Sequence, residues 1–274
     1  MTPYLFLCRE AKLPLLWLAL FLLQCQFLSA QAPNTAEDLA RRSTLVFLGT
    51  VEKTAASTMP AVKANEATVV VRVDQVISSP GAPPGLAGKL ITVQLLQPGS
   101  MKPGSQTVFF TKGWLLGESM AVVEVGRLGR DTNIQGLTEQ INSVRQKMTD
   151  EALQNQLATA EAVIAGRVVA VHRAEIPRIG SEHDPDWYVA VIQVESVVKG
   201  ESLGREVTLL FPHSDDVMWH NSPKFKEGQR GVWLLHRNQV RLPGIENQLT
   251  ALRPLDFHSP EELIRVERLV KASQ

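Results

Sequence analysis

Side chains able to do chemistry gather in one half of this chain. All six histidines, His172, His183, His213, His220, His236 and His258, fall in its second half. Two stretches hold several of them together with acids and tryptophans. These are Ser181-Glu-His183-Asp184-Pro-Asp186-Trp187 and Pro212-His213-Ser-Asp215-Asp216-Val-Met-Trp219-His220. Imidazole and carboxylate together suit zinc or another divalent transition metal. The candidate metal ligands are His183, His213, Asp216 and His220. The candidate ligand-binding set is Trp187, Trp219, His183 and Asp186, because large aromatics concentrate at binding hot spots. The competing reading is plain surface loop, where His, Asp, Ser and Pro are common.

Other chemistries find no support in the sequence. There is no G-x-S-x-G elbow, P-loop, H-E-x-x-H or G-x-G-x-x-G. Ser100, in Pro98-Gly99-Ser100, reads as a turn with no base nearby, and a nucleophile needs one within hydrogen-bond reach. The two cysteines, Cys8 and Cys25, lie near the N-terminus, and the rest of the chain has none. Thiolate zinc sites, thiol nucleophiles and C-x-x-C redox chemistry are therefore excluded downstream of them. No catalytic residue is assigned.

The elements that position the loops are organised as a repeat. Leu45-Val-Phe-Leu-Gly49-Thr-Val51 matches Ala162-Val-Ile-Ala-Gly166-Arg-Val168, and Val73-Asp-Gln-Val76 matches Val194-Glu-Ser-Val197. Gly88-Lys-Leu-Ile-Thr92-Val93 matches Gly204-Arg-Glu-Val-Thr208-Leu209, and Gly104-Ser-Gln-Thr-Val-Phe-Phe110 matches Gly228-Gln-Arg-Gly-Val-Trp-Leu234. The matches keep their order and near-constant spacing. The β-branched runs Thr68–Val76 and Val189–Val197 read as strands. Gly and Pro clusters such as Ser79-Pro-Gly-Ala-Pro-Pro-Gly85 separate them.

The expected fold is mainly β: two tandem OB-like barrels, or small sandwiches, with short flanking helices. The first repeat spans 33–148 with a C-terminal helix, and the second spans 151–274 with another. Helices are expected at Thr35–Arg42, Ile134–Met148, Glu151–Ala160 and Pro260–Lys271. Ser259 is the expected cap of the last, with Pro260 in its first turn. Phe109, Phe110, Trp114 and Trp233 read as core, and Asp74 and Glu195 as solvent-facing strand residues. The extra length of the second repeat falls in its first and third connections. In an up-and-down meander those two emerge at the same end, so the two His/Asp/Trp stretches are expected to converge.

A strand ending Gly-x-Val, a V-x-x-V strand, the Lys199-Gly200 turn and the Gly88 to Val93 strand together resemble netrin-like and metalloproteinase-inhibitor-like OB domains. The resemblance implies an OB barrel. That family's inhibitors chelate a target enzyme's zinc through an N-terminal cysteine within a disulfide framework. Neither is present after Cys25, so the inhibitory mechanism is not implied.

The N-terminus reads as a secretory signal peptide over residues 1–30. Arg9 and Lys12 precede an apolar run from Leu13 to Leu28, and Ser29-Ala30-Gln31-Ala32 supplies small residues for cleavage. A retained anchor is the alternative, although the run is slightly shorter than the roughly 20 residues a spanning helix needs. The expected location is periplasmic or secreted. Lys and Arg equal Asp and Glu at 28 each, without long basic runs, which speaks against nucleic-acid binding. No membrane contact beyond the leader is expected. The sequence thus points to an exported, non-enzymatic binding protein, with an unidentified protein or small ligand of the cell envelope as partner and no cofactor. The alternative is a metal-dependent hydrolase or metal-binding protein using zinc at the second repeat's loops.

Overall fold

The computed structural model describes residues 35–80, 84–117, 119–176, 182–237 and 248–272. Residues 1–34, with the expected signal peptide and both cysteines, lie outside the described residues, as does the Trp114 side chain. Contacts divide the chain into two units between Ile141 and Asn142. The division falls inside one unbroken helix, α2 (Ile134–Thr159), where two shorter helices were expected. Nothing in the intervening Thr149-Asp150 stops a helix, and Asp150 accepts from the Arg265 guanidinium at 2.6 Å.

The first unit opens with α1 (Ala36–Arg42). Thr35 caps it by accepting from the Asp38 amide, with acids in its first turn and arginines in its last. Five strands follow: β1 (Leu45–Thr54), β2 (Thr68–Ser78), β3 (Leu90–Gln94), β4 (Gln106–Leu116) and β5 (Met120–Leu128). They close into a barrel in the order β1-β2-β3-β5-β4. Neighbours run antiparallel except β3 and β5, which pair in parallel. Alternate residues fill the interior, among them Phe47, Val71, Val73, Ile91, Val93, Phe109 and Val122. Phe47 and Phe109 stack with centroids 5.3 Å apart. Phe110 is fully buried too.

The second unit repeats the plan with β6 (Ala162–Arg173), β7 (Asp186–Lys199), β8 (Glu206–His213), β9 (Arg230–Arg237) and β10 (Leu249–Thr250). The two-residue β10 closes this barrel by pairing in parallel with β8 and antiparallel with β9. A further pair, β11 (Phe257–His258), adds to β9. The interior holds Trp233, Phe211, Phe225, Ile192 and Leu209. A 3-10 turn at Pro260–Glu262 leads into α3 (Leu263–Ala272). Ser259 makes no side-chain cap bond to that turn; its hydroxyl bonds the Glu261 carboxylate instead. Val266, Leu269 and Val270 of α3 pack with Leu153 and Leu157 of α2 against Val163, Ala165, Val232 and Leu234 on the outside of β6 and β9. Lys199 at the end of β7 caps α2, its Nζ donating to the Ala160 carbonyl at 2.9 Å and to that of Leu157.

The register carries the duplication into three dimensions. The β1–β2 ladder slips at Val46/Phe47, Leu48/Gly49 and Val51/Lys53. The β6–β7 ladder slips at Val163/Ile164, Ala165/Gly166 and Val168/Ala170, the matched positions. Such bulges bend a strand so that it can serve both sides of a small barrel. The paired glycines sit at the tightest point of the bend. A Cβ on Gly49 would lie 2.5 Å from Val71 Cγ1, and one on Gly166 would strike the Gln193 carbonyl oxygen.

Candidate functional site

The first and third connections of the second barrel do converge. The Trp219 indole Nε1 donates to the His183 carbonyl at 2.8 Å. The His183 ring Nδ1 lies 3.0 Å from Asp216 Oδ2. Trp187 and Trp219 meet edge to face with centroids 5.5 Å apart. Beneath them Trp187, Val189 and Leu210 form a small cluster outside the barrel, against which Ile176, Trp219 and Leu252 pack. Each part follows from local structure. Trp187 and Val189 alternate along β7 toward its outer face, and Leu210 faces the same way from β8. Asp216 starts a turn, accepting from the Met218 amide at 2.8 Å and receiving the Trp219 and His220 amides on its carbonyl.

Charge stiffens this end. The Met218 amide, then His183, hold the Asp216 carboxyl below its usual range. Lys224 reaches under the loop and donates to the Trp219 carbonyl at 2.7 Å and the Ser222 carbonyl at 2.9 Å. Burial pushes the Lys224 ammonium down, opposed by Asp215. The fastened loop leaves its apex in solvent, with Val217 72% and Met218 64% exposed.

Among the remaining candidates, Asp186 and His213 stand opposite each other across β7 and β8, and His220 is near enough to Asp216 to help lower its carboxyl pKa. The Asp186 carboxylate takes the Arg173 guanidinium at 2.6 Å. The His213 ring packs on Tyr188, centroids 4.9 Å apart. His220 Nδ1 faces the Val217 carbonyl at 2.9 Å. Of the four candidate metal ligands, His183 and Asp216 lie within hydrogen-bond distance of each other. A catalytic zinc site uses three protein ligands and a structural site four. Among the described residues no group of three His, Cys, Asp or Glu side chains is placed to hold a metal ion.

A second cluster escaped sequence reasoning. The Asp256 carboxylate, 1% exposed, accepts the Leu252 and Arg253 amides on Oδ2, both at 2.8 Å. Its Oδ1 takes Gln156 Nε2 at 2.5 Å and faces His236 Nε2 at 3.1 Å. Gln156 Oε1 in turn accepts from Arg253 at 3.0 Å. The other His236 nitrogen faces the Thr159 carbonyl at 3.3 Å. His236 and Asp256, with Thr159 and Arg253, line a pocket of about 110 Å³. The Asp256–His236 pair and Gln156 tie α2, β9 and the turn after β10 together. Only the helical amide of Gln156 and the strand-end place of His236 could have hinted at it.

The matched strand carboxylates are bracing groups. Asp74 accepts from Thr50 at 2.6 Å and Gln106 at 3.0 Å, and the exposed Glu195 accepts from Arg230 at 2.7 Å. In each repeat the carboxylate on the second strand reaches across the first to the fourth.

No family model matches the chain, and no curated protein is detectably similar to it. Among the described residues no helix is long and apolar enough to cross a membrane.

Proposed function

We propose that this is an exported binding protein of the cell envelope and that the loop end of its second barrel is its recognition surface. One observation carries the reading: two enlarged loops are fastened to each other through Trp219 and His183, leaving Val217 and Met218 exposed at the apex. Building a rigid aromatic base beneath an apolar tip costs solubility and is useful only if something covers the tip. Rigidity also lowers the entropy lost on binding. OB barrels commonly recognise ligands through loops and the strand face beside them, and the Trp187 to Leu210 cluster lies on that face. Of the resemblance to netrin-like domains this reading keeps the barrel alone.

The test is loop exchange. Replacing 174–185 and 214–227 by the shorter connections of the first repeat is expected to abolish binding to a partner identified by cross-linking in the envelope. Unchanged binding by the correctly folded exchange variant overturns the reading.

A further inference from the structure

We propose that the exposed tip of the second barrel docks into an open groove on the first barrel of another copy, so that the chain self-associates head to tail. This rests on the loop end being a recognition surface, and names its partner as a second copy.

The groove lies on the outside of β3, β5 and β4. Thr92, Gln94, Leu115, Ala121 and Val123 line it, Val62 walls one side, and it holds about 250 Å³. Leu115 is 46% and Val123 40% exposed. Beyond Val123 a second hollow continues past Leu96 and Val125, with Arg42 and Lys112 among its lining residues.

Register shows what this groove lacks. Val93 pairs with Val122 in the first barrel, and Leu209 with Leu249 in the second. Gln94 therefore corresponds to Leu210, Val123 to Thr250 and Val125 to Leu252. In the second barrel Leu210 and Leu252 belong to the surface that Trp219 covers, and Trp219 comes from the long connection between β8 and β9. The matching connection of the first barrel, residues 95–105, carries no aromatic residue, and its Leu95 and Met101 pack into the barrel interior instead. One barrel thus covers its outer face with a loop-borne aromatic side chain, while the other buries Thr92 and Val125 but leaves Val123 and Leu115 exposed.

The tip of the second barrel offers a similar side chain. Met218 is unbranched and polarisable, and suits an irregular apolar slot. Charge agrees in sign: Asp215 and Asp216 immediately precede the tip, Asp216 also pairing with His183, while Arg42 and Lys112 stand at the far end of the groove. Glu124 also lines that end, but it is buried, with Oε2 accepting from the Leu96 amide at 2.9 Å and Oε1 3.5 Å from Arg127. Acids beside the tip also disfavour an anionic lipid surface as its target. Tip and groove are different surfaces, so the contact is heterologous, and each copy keeps one of each to offer.

Sedimentation velocity on residues 31–274, from micromolar to several hundred micromolar, tests this with two variants. The tip variant carries Val217→Asp and Met218→Asp, and the groove variant Leu115→Asp and Val123→Asp. All four side chains are exposed, and a melt checks each fold; the single variants Met218→Asp and Leu115→Asp replace any double variant that melts low. The wild-type mass is expected to rise with concentration, and each variant alone to stay at one chain. Their mixture is expected to form a two-chain species and nothing larger, because only one intact tip and one intact groove remain per pair. A wild-type chain that stays single overturns self-association and leaves the loop end free for a different partner, which loop exchange tests separately. Assembly by either variant alone, or a mixture that does not pair, also overturns the proposal.

Discussion

Asp256 Oδ1 lies 3.1 Å from His236 Nε2, and the two residues come from opposite sides of a connection that ends in β10. The carboxylate collects donors from α2, β9 and its own turn, and is shut off from water. Removing it strands those donors. Asp256→Ala is expected to destabilise the second barrel by about 3 kcal/mol, and His236→Ala by less, about 1 kcal/mol. Urea unfolding checks both. Equal and small effects would show that the network adds nothing to stability.

Lys224 fastens the Trp219 loop from below. Lys224→Met keeps the stem and removes the donor to two carbonyls. A loss of about 2 kcal/mol is expected from such charge-assisted bonds, confined to the loop. Amide exchange should then speed up around 216–222 while the β6 to β9 amides keep their protection. Unchanged exchange in the loop would show that Lys224 does not hold it.

His258 gives the fold a dependence on pH. Burial holds its pKa below the ordinary histidine value of about 6.5, and its Nε2 lies 2.9 Å from the Leu255 carbonyl. The unfolded chain therefore takes up this proton first as pH falls. The stability tied to the neutral ring is complete above about pH 6.5 and is lost below that value, toward the lower folded pKa. His258→Gln should flatten the decline in melting temperature between neutral pH and pH 5. Asp216 acts in a separate window: its depressed pKa supports the loop above the ordinary carboxylate value and withdraws that support only in stronger acid.

Metal content separates the binding protein from its metal-dependent alternative. With no group of three ligating side chains among the described residues, residues 31–274 are expected to purify with far less than one zinc per chain. Chelator should leave the melting temperature unchanged. Stoichiometric zinc that is lost in His183→Ala would favour the metal reading.

The sequence carried the barrels through matched glycines and V-x-V runs, because a strand bent at Gly49 or Gly166 has few substitutes. The meeting of His183 with Asp216 was also legible, since it follows from strand direction. The fifth strands were not. Leu249-Thr250 is too short to show alternation, and its role exists only once β8 and β9 are in place. His213 was expected beside His183, but the strand carries its ring onto Tyr188. Asp256 stayed hidden for another reason: its partner Gln156 lies 100 residues away, and no spacing rule joins a helical glutamine to a distant turn.

The parallel closure of each barrel sets an order of events during synthesis. A chain growing from its N-terminus completes its first barrel when Val122 and Val123 reach β3. The second must wait for Leu249 and Thr250 to reach β8, after its other four barrel strands have been made. Until then β8 keeps one edge bare, and bare edges recruit other strands. The interval between the synthesis of β8 and that of β10 is therefore when this protein is most exposed to misassembly, and when a holding chaperone would matter most.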